Sequence, residues 1–141
     1  MSGSDIFGIV GSALAAQNAR MGAIASNLAN VDSITPPGAA PYRAHEVVFE
    51  AAPVTGMNGG TADMGVQVAG TVQSNAPPVQ KYDPTSPYAD AKGYVTGSNV
   101  SQVNEMVDLI DSSSSYSASV AVLQQASRID QQMLASFQVS P

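Results

Sequence analysis

The chain contains no cysteine and no tryptophan. Disulfides and thiolate metal sites are therefore excluded by composition. Histidine occurs once, at His45. A zinc site or a catalytic triad needs further partners, so His45 is expected as a hydrogen-bonded surface or interface residue. Carboxylates are few and scattered. Asp108 and Asp111 lie three apart on a predicted helix and read as a solvated face. The glycines at 56, 59 and 60 lack the Lys-Ser/Thr of a phosphate loop. Asp63, near Met57 and Asn58, lacks calcium-loop spacing. No catalytic, cofactor-binding or metal-binding residue is expected.

Charge is also scarce. Only 11% of the 141 residues are charged, against ~25% in a typical soluble domain. The net charge is -6, with no basic cluster to neutralise phosphates, which disfavours nucleic acid. The same sign argues against an anionic membrane surface. No apolar run approaches the ~18 to 20 residues of a membrane span. The N-terminus lacks the positive lead and cleavage site of a secretory signal, which by itself suggests a cytoplasmic chain. Ser, Asn, Gln, Gly and Ala fill the remaining surface. Such a surface can be buried against copies of itself, or can be simply a neutral, polar exterior.

What the chain does have is helical periodicity at both ends. Phe7, Val10, Leu14, Gln17, Met21, Ile24, Leu28 and Val31 alternate by three and four residues. That spacing forms the narrow seam of a coiled coil, and a seam needs a partner. The pattern predicts a helix over residues 5–30. Asn27 and Asn30 flank the seam with two-way hydrogen-bonding amides, which fix register between helices or terminate the helix. Gln17 is the one polar residue on the seam and the sharper register candidate. Gly8, Gly11 and Gly22 are either close-approach sites for neighbouring helices or tolerated weak points.

Thr35-Pro36-Pro37-Gly38 stops the helical pattern. Residues 42–49 and 66–74 read as strands, with a third at Tyr94-Val95-Thr96. Residues 53–65 read as a mobile loop. Prolines at 77, 78, 84 and 87 forbid helix and favour an extended path.

A second helix is expected from residue 99 or 101 to about 137. It carries Val103, Met106, Val107, Ile110, Tyr116, Val120, Leu123, Ile129 and Met133 in a stripe that drifts round its axis. Four serines at 112–115 act as a hinge or a small-residue packing surface, with continuity the preferred reading. Met21, Met106 and Met133 are expected as adaptable core fillers.

The stretch Ser26-Asn27-Leu28-Ala29-Asn30-Val31-Asp32-Ser33 resembles the N-terminal signature of the bacterial flagellar axial proteins. An ordered set follows it: Pro41-Tyr42-Arg43, Val47-Val48-Phe49, Asn75-Ala76-Pro77-Pro78, Tyr82-Asp83-Pro84, Ala89-Asp90, Gly93-Tyr94-Val95, Asn99-Val100 and Glu105-Met106-Val107-Asp108. That set is similar to the proximal-rod members of the family, over residues 5–132. The resemblance implies a structural rod subunit without an active site, whose helices surround an axial channel and whose partners are copies of itself and other rod proteins. It implies export through the flagellar type III apparatus without a cleaved signal, assembly in a basal-body rod spanning the periplasm, and no membrane insertion. The chain departs from the family at 112–115, where an arginine is usual, and at Ser117 and Ser119, where Gln and Asn are usual. Residues 51–64 match nothing specific.

The expected fold is α+β: long terminal helices in a coiled-coil-like layer, with a small central β-rich module. The expected segments are residues 1–34, 35–98 and 99–141. The expected assembly interface comprises Phe7, Val10, Leu14, Gln17, Met21, Ile24, Asn27, Leu28, Asn30 and Val31 on the first helix. On the second it comprises Val103, Met106, Ile110, Tyr116, Val120, Leu123, Ile129 and Met133. A sibling rod component, or a non-flagellar helix-flanked binding module, would share the helical ends. A compact middle argues against the larger distal-rod and hook proteins.

Overall fold

A computed structural model describes residues 3–54 and 63–138. It is α+β. Helix α1 spans Gly3–Ala29 and helix α2 spans Gln102–Gln138. Between them lie β1 (Ile34–Thr35), β2 (His45–Val54), β3 (Asp63–Gln73), β4 (Gln80–Tyr82) and β5 (Tyr94–Gly97). One sheet has the order β1-β5-β4, and β2 pairs with β3. The first sheet is antiparallel, with Ile34 opposite Gly97 and Lys81 opposite Val95.

The helix ends follow local chemistry. Asn30 and Ser33 amides donate back to Asn27 and Asn30 carbonyls, and the Ser33 hydroxyl caps the Asn30 oxygen at 2.8 Å. Asn30 itself lies just beyond α1 and turns its amide onto the Ser26 carbonyl at 2.9 Å, so it acts as a terminator. Ser101 caps α2: its carbonyl receives the Glu105 amide and its hydroxyl the Asn104 amide. Helix α2 runs unbroken through the serine run, so no hinge interrupts it.

The β segments differ from expectation in detail. Strand β2 starts at His45 rather than residue 42, because the Tyr42 hydroxyl is drawn to Asn27 and the Ala44 amide to Asn99. The strands β2 and β3 extend into the predicted loop, to Val54 and from Asp63. Residues 55–62, with the glycines at 56, 59 and 60 and with Met57 and Asn58, lie outside the described residues. Two short strands, β1 and β4, were not expected. Each exists through pairing with β5, which supplies partners that local propensity cannot reveal.

The chain divides into two compact units. One comprises Arg20–Val48 and Gly70–Asp111. Its centre is Val95, 1% exposed, with Ala44 and Val100 also buried. Asn99 ties its segments together. Its oxygen accepts the Ala44 amide at 2.7 Å, and its nitrogen donates to the Ser74 and Ala76 carbonyls. The loop between β4 and β5 is held by two aspartates. The Thr85 hydroxyl, donating to Asp83, and the Tyr94 amide, donating to Asp90, are the main causes that hold these carboxyls below the usual range. Gly93, at φ 82°, closes that loop with a backbone that side chains rarely adopt.

The other unit comprises Met1–Ala19, Phe49–Ala69 and Ser112–Pro141. Here α1 meets the β2–β3 ribbon closely. The Ser12 hydroxyl donates to Ile9 and accepts the Val66 amide at 3.1 Å. Gly8 and Gly65 both lie against Val54, where a Cβ would collide. Gly8 is thus a close-approach site, though for a strand rather than a helix. A Cβ on Gly11 or Gly22 would meet nothing within 4 Å among the described residues.

Candidate assembly interface

Asn27 flanks the seam of α1 and is 1% exposed. Its amide nitrogen donates to the His45 carbonyl at 2.9 Å and to Glu105 Oε1 at 3.0 Å. Its oxygen accepts the His45 amide at 2.8 Å and the Tyr42 hydroxyl at 3.1 Å. Two donors and two lone pairs are all that an asparagine offers. Asn27 therefore spends its whole capacity inside the chain. It locks α1 to the start of β2 and to the first turn of α2. His45 joins through Nδ1, 3.1 Å from the Tyr42 hydroxyl, and through Nε2, 3.3 Å from Gln73.

Glu105 is the buried acid of this cluster, 8% exposed. Burial is the largest effect on it and raises its pKa. The Asn27 hydrogen bond pulls the other way, and the charges of Asp108 and Glu46 add to the rise. Further along, Arg20 lies 3.6 Å from Asp108 and 3.7 Å from Asp111. The two acids read as a solvated face thus also meet α1. Both remain half exposed or more, so the pairs contribute ~0–1 kcal/mol each. Contacts of Asn27 with Glu105 and of Arg20 with Asp108 and Asp111 make the two helical segments of this unit antiparallel.

The α1 seam is largely covered. Val10 and Ile24 are buried, while Phe7, Leu14, Gln17, Met21, Leu28, Asn30 and Val31 are half-buried. Phe7 lines a shallow cleft of about 440 Å³ with Leu123, Ser127 and Arg128.

Helix α2 is arranged the other way. Its buried and half-buried positions include Glu105, Leu109, Ser112, Tyr116, Ser119, Leu123 and Ala126. Their spacing is a regular alternation of four and three, a seam built mainly from polar and small side chains. Ser112 is fully buried, and neither its hydroxyl nor the Gln17 Oε1 has a partner among the described residues. Of the expected interface residues, Tyr116, Val120 and Leu123 are half-buried. Val103, Met106, Ile110, Ile129 and Met133 are exposed, between 48% and 71%. Met106 and Met133 are therefore not core fillers of this chain; they stand on the outward face.

Two family models match the chain. Residues 9–36 match "Flagella basal body rod protein", and residues 91–136 match "Flagellar basal body rod FlgEFG protein C-terminal". The flagellar basal-body rod protein FlgC of Escherichia coli O6:H1 is 51% identical over 121 residues, 84% of this chain and 86% of that protein. FlgC of Yersinia enterocolitica is 48% identical over 123 residues, covering 87% and 89%. The Bacillus subtilis FlgC is 38% identical over 124 residues, covering 79% and 83%. The chain belongs to the FlgC family of flagellar basal-body rod proteins. It is a structural subunit of the flagellar proximal rod, located in the basal body, and assembles with other rod and basal-body components.

No helix of the described residues is long and apolar enough to cross a membrane. Sequence periodicity found the apolar stripe of α2; of the readings of residues 112–115, the buried Ser112 fits a small-residue packing surface, while the burial of Glu105 was missed. The signal was present as an alternation of small and polar residues, which hydrophobic counting discards. Tyr42, Arg20 and Asn99 were also missed, since each acts through partners distant in the chain.

Proposed function

We propose that this rod subunit polymerises by burying the outward stripe of α2 against neighbouring subunits, with the α1 seam completing the helical layer. The observation that carries this reading is the exposure of Val103 at 71%, Met106 at 51%, Val107 at 60% and Ile110 at 69% on two successive turns. Each such side chain gains roughly 1.5–3 kcal/mol when fully buried. Serial contacts of this kind are heterologous, which builds helical assemblies rather than closed pairs. In that reading residues 1–34 and 99–141 form the layer around the axial channel. Residues 35–98 sit further out and touch adjacent subunits. The assembled rod transmits torque from the motor to the hook.

Delivery is by the flagellar type III export apparatus, without removal of a signal peptide, into a rod that spans the periplasm. Mass spectrometry of the subunit from isolated basal bodies tests this; a trimmed N-terminus would refute it. Assembly is tested by Ile110→Asp. The side chain is exposed, so the purified variant keeps the helical content of the parent. Basal bodies from cells relying on it should lack the subunit and the cells should not swim. Normal swimming would sink the proposal.

A further inference from the structure

Strands β2 and β3 form a two-stranded ribbon, so each has an edge without a strand partner among the described residues. Such an edge is a template for pairing with another chain. The two strands are defended differently. β2 carries Glu46, Glu50 and Pro53, and charge and proline both discourage an added strand. β3 carries neither from Met64 to Gln73. Met64, Val66 and Val68 alternate there and are 60%, 36% and 39% exposed. An uncharged, valine-rich segment without proline has the composition of strands that stack on copies of themselves.

One backbone group of β3 is taken by helix α1. The Val66 amide donates to the Ser12 hydroxyl at 3.1 Å. That hydroxyl gives its own proton to the Ile9 carbonyl at 2.7 Å, which leaves its lone pairs to receive the strand amide. Helix and ribbon come this close because two side chains are missing. A Cβ on Gly8 would stand 2.7 Å from Val54 Cγ1, and one on Gly65 would strike Val54 and Ser12. The Ser12 oxygen therefore stands where the carbonyl of a further strand would accept the Val66 amide.

We propose that Ser12, seated on the Gly8–Gly65 joint, is an edge cap that withholds β3 from pairing with β3 of a second copy of this chain. A second copy is the partner because identical strands set side by side bring like charges together wherever they carry any. Self-pairing of β2 would place glutamates near glutamates, whereas β3 has no charge to oppose it after Asp63. The role is independent of the α2 stripe and of the polymerisation reading.

The test uses the purified full-length subunit, with fibril growth followed by thioflavin fluorescence and exchange of the Val66 amide followed by NMR. Ser12→Ala removes the acceptor while keeping a good helix former. It should speed Val66 exchange roughly tenfold or more. It should also shorten the lag before fibrils by a similar factor, roughly tenfold. Gly8→Val presses on Val54 from the helix side and should do the same; it decides where Ser12→Ala does not fold. Asn27→Ala is the control for general loosening, since it removes four hydrogen bonds in the other unit and leaves the cap in place. It should not shorten the lag as Ser12→Ala does. Val68→Lys, added to Ser12→Ala, sets like charges on the paired strands and should restore the lag of the parent. Growth no faster than the parent in the folded variants overturns the proposal. An equal effect of Asn27→Ala, or no restoration by Val68→Lys, overturns it as well.

Discussion

Replacing Asn27 by alanine removes four hydrogen bonds from a site that is 1% exposed. The His45 amide loses its acceptor, and an orphaned buried group costs about 1–3 kcal/mol. Glu105 loses the Asn27 donor, and a hydrogen bond to a charged group is worth about 1.5–3 kcal/mol. Relaxation offsets part of this. Tyr42 can turn its proton toward the Ser26 hydroxyl 3.1 Å away, and water can reach the half-buried edge of the cluster. The expected loss is therefore about 3 kcal/mol, below the simple sum. With urea slopes of about 1–3 kcal/mol per molar, the unfolding midpoint should fall by roughly 1–3 M. Ser26→Ala, on the exposed side of the same cluster, is the control and should stay within ~0.5 kcal/mol. If both substitutions shift the midpoint equally little, the cluster does not hold α1, β2 and α2 together. Asn27→Asp sharpens the test. It keeps the acceptor oxygen but turns the donor into a second acid facing Glu105. It should be destabilised at pH 7 and recover partly on acidification.

Three further outcomes follow from single sites. The folded pKa of Glu105 lies above its ordinary value of 4.5, so its contribution is fully present below that pH and is lost as pH rises through the raised value. Glu105→Gln should abolish this part of the pH dependence in urea midpoints measured from pH 4 upward, because the amide keeps the acceptor for Asn27 without the buried charge. Gly65→Ala forces a Cβ into Val54 and the Ser12 hydroxyl, and should cost about 1–3 kcal/mol in thermal or urea unfolding. Ser112→Ala removes a fully buried hydroxyl without a partner among the described residues, and should leave stability unchanged or raise it by about 1 kcal/mol. A loss above ~1 kcal/mol there would show that the hydroxyl is satisfied in solution.

The two helices were legible from local signals because periodicity, caps and breakers act over one or two turns. Asn30 and Ser101 each lie one residue outside the helix they bound, while the Thr35-Pro36-Pro37-Gly38 stop begins six residues beyond the end of α1. The β segments were legible where β-branched residues cluster, as at Val47-Val48-Phe49. They were not legible at Ile34 or Gln80, where strand character comes entirely from pairing with β5. The membership in the rod family was also legible, since ordered motifs such as Tyr82-Asp83-Pro84 and Gly93-Tyr94-Val95 carry it.

Tertiary structure alone decided how those pieces are used. By itself the sequence determined two long helices, a β-rich middle, the lack of thiol chemistry and an apolar stripe on each helix. It could not determine which stripe the chain covers for itself. In the folded subunit Val10 and Ile24 of the α1 seam are buried and its other members half-buried, while Val103, Met106, Val107 and Ile110 of α2 are exposed and Glu105 and Ser112 are buried. Apolar residues cost free energy in water wherever they stand, so periodicity reveals a face but not what covers it. Nor could it show that Asn27, read as a link to neighbours, exhausts its four hydrogen bonds on Tyr42, His45 and Glu105. Those partners lie up to 78 positions away along the chain, and only folding brings them within 3.1 Å.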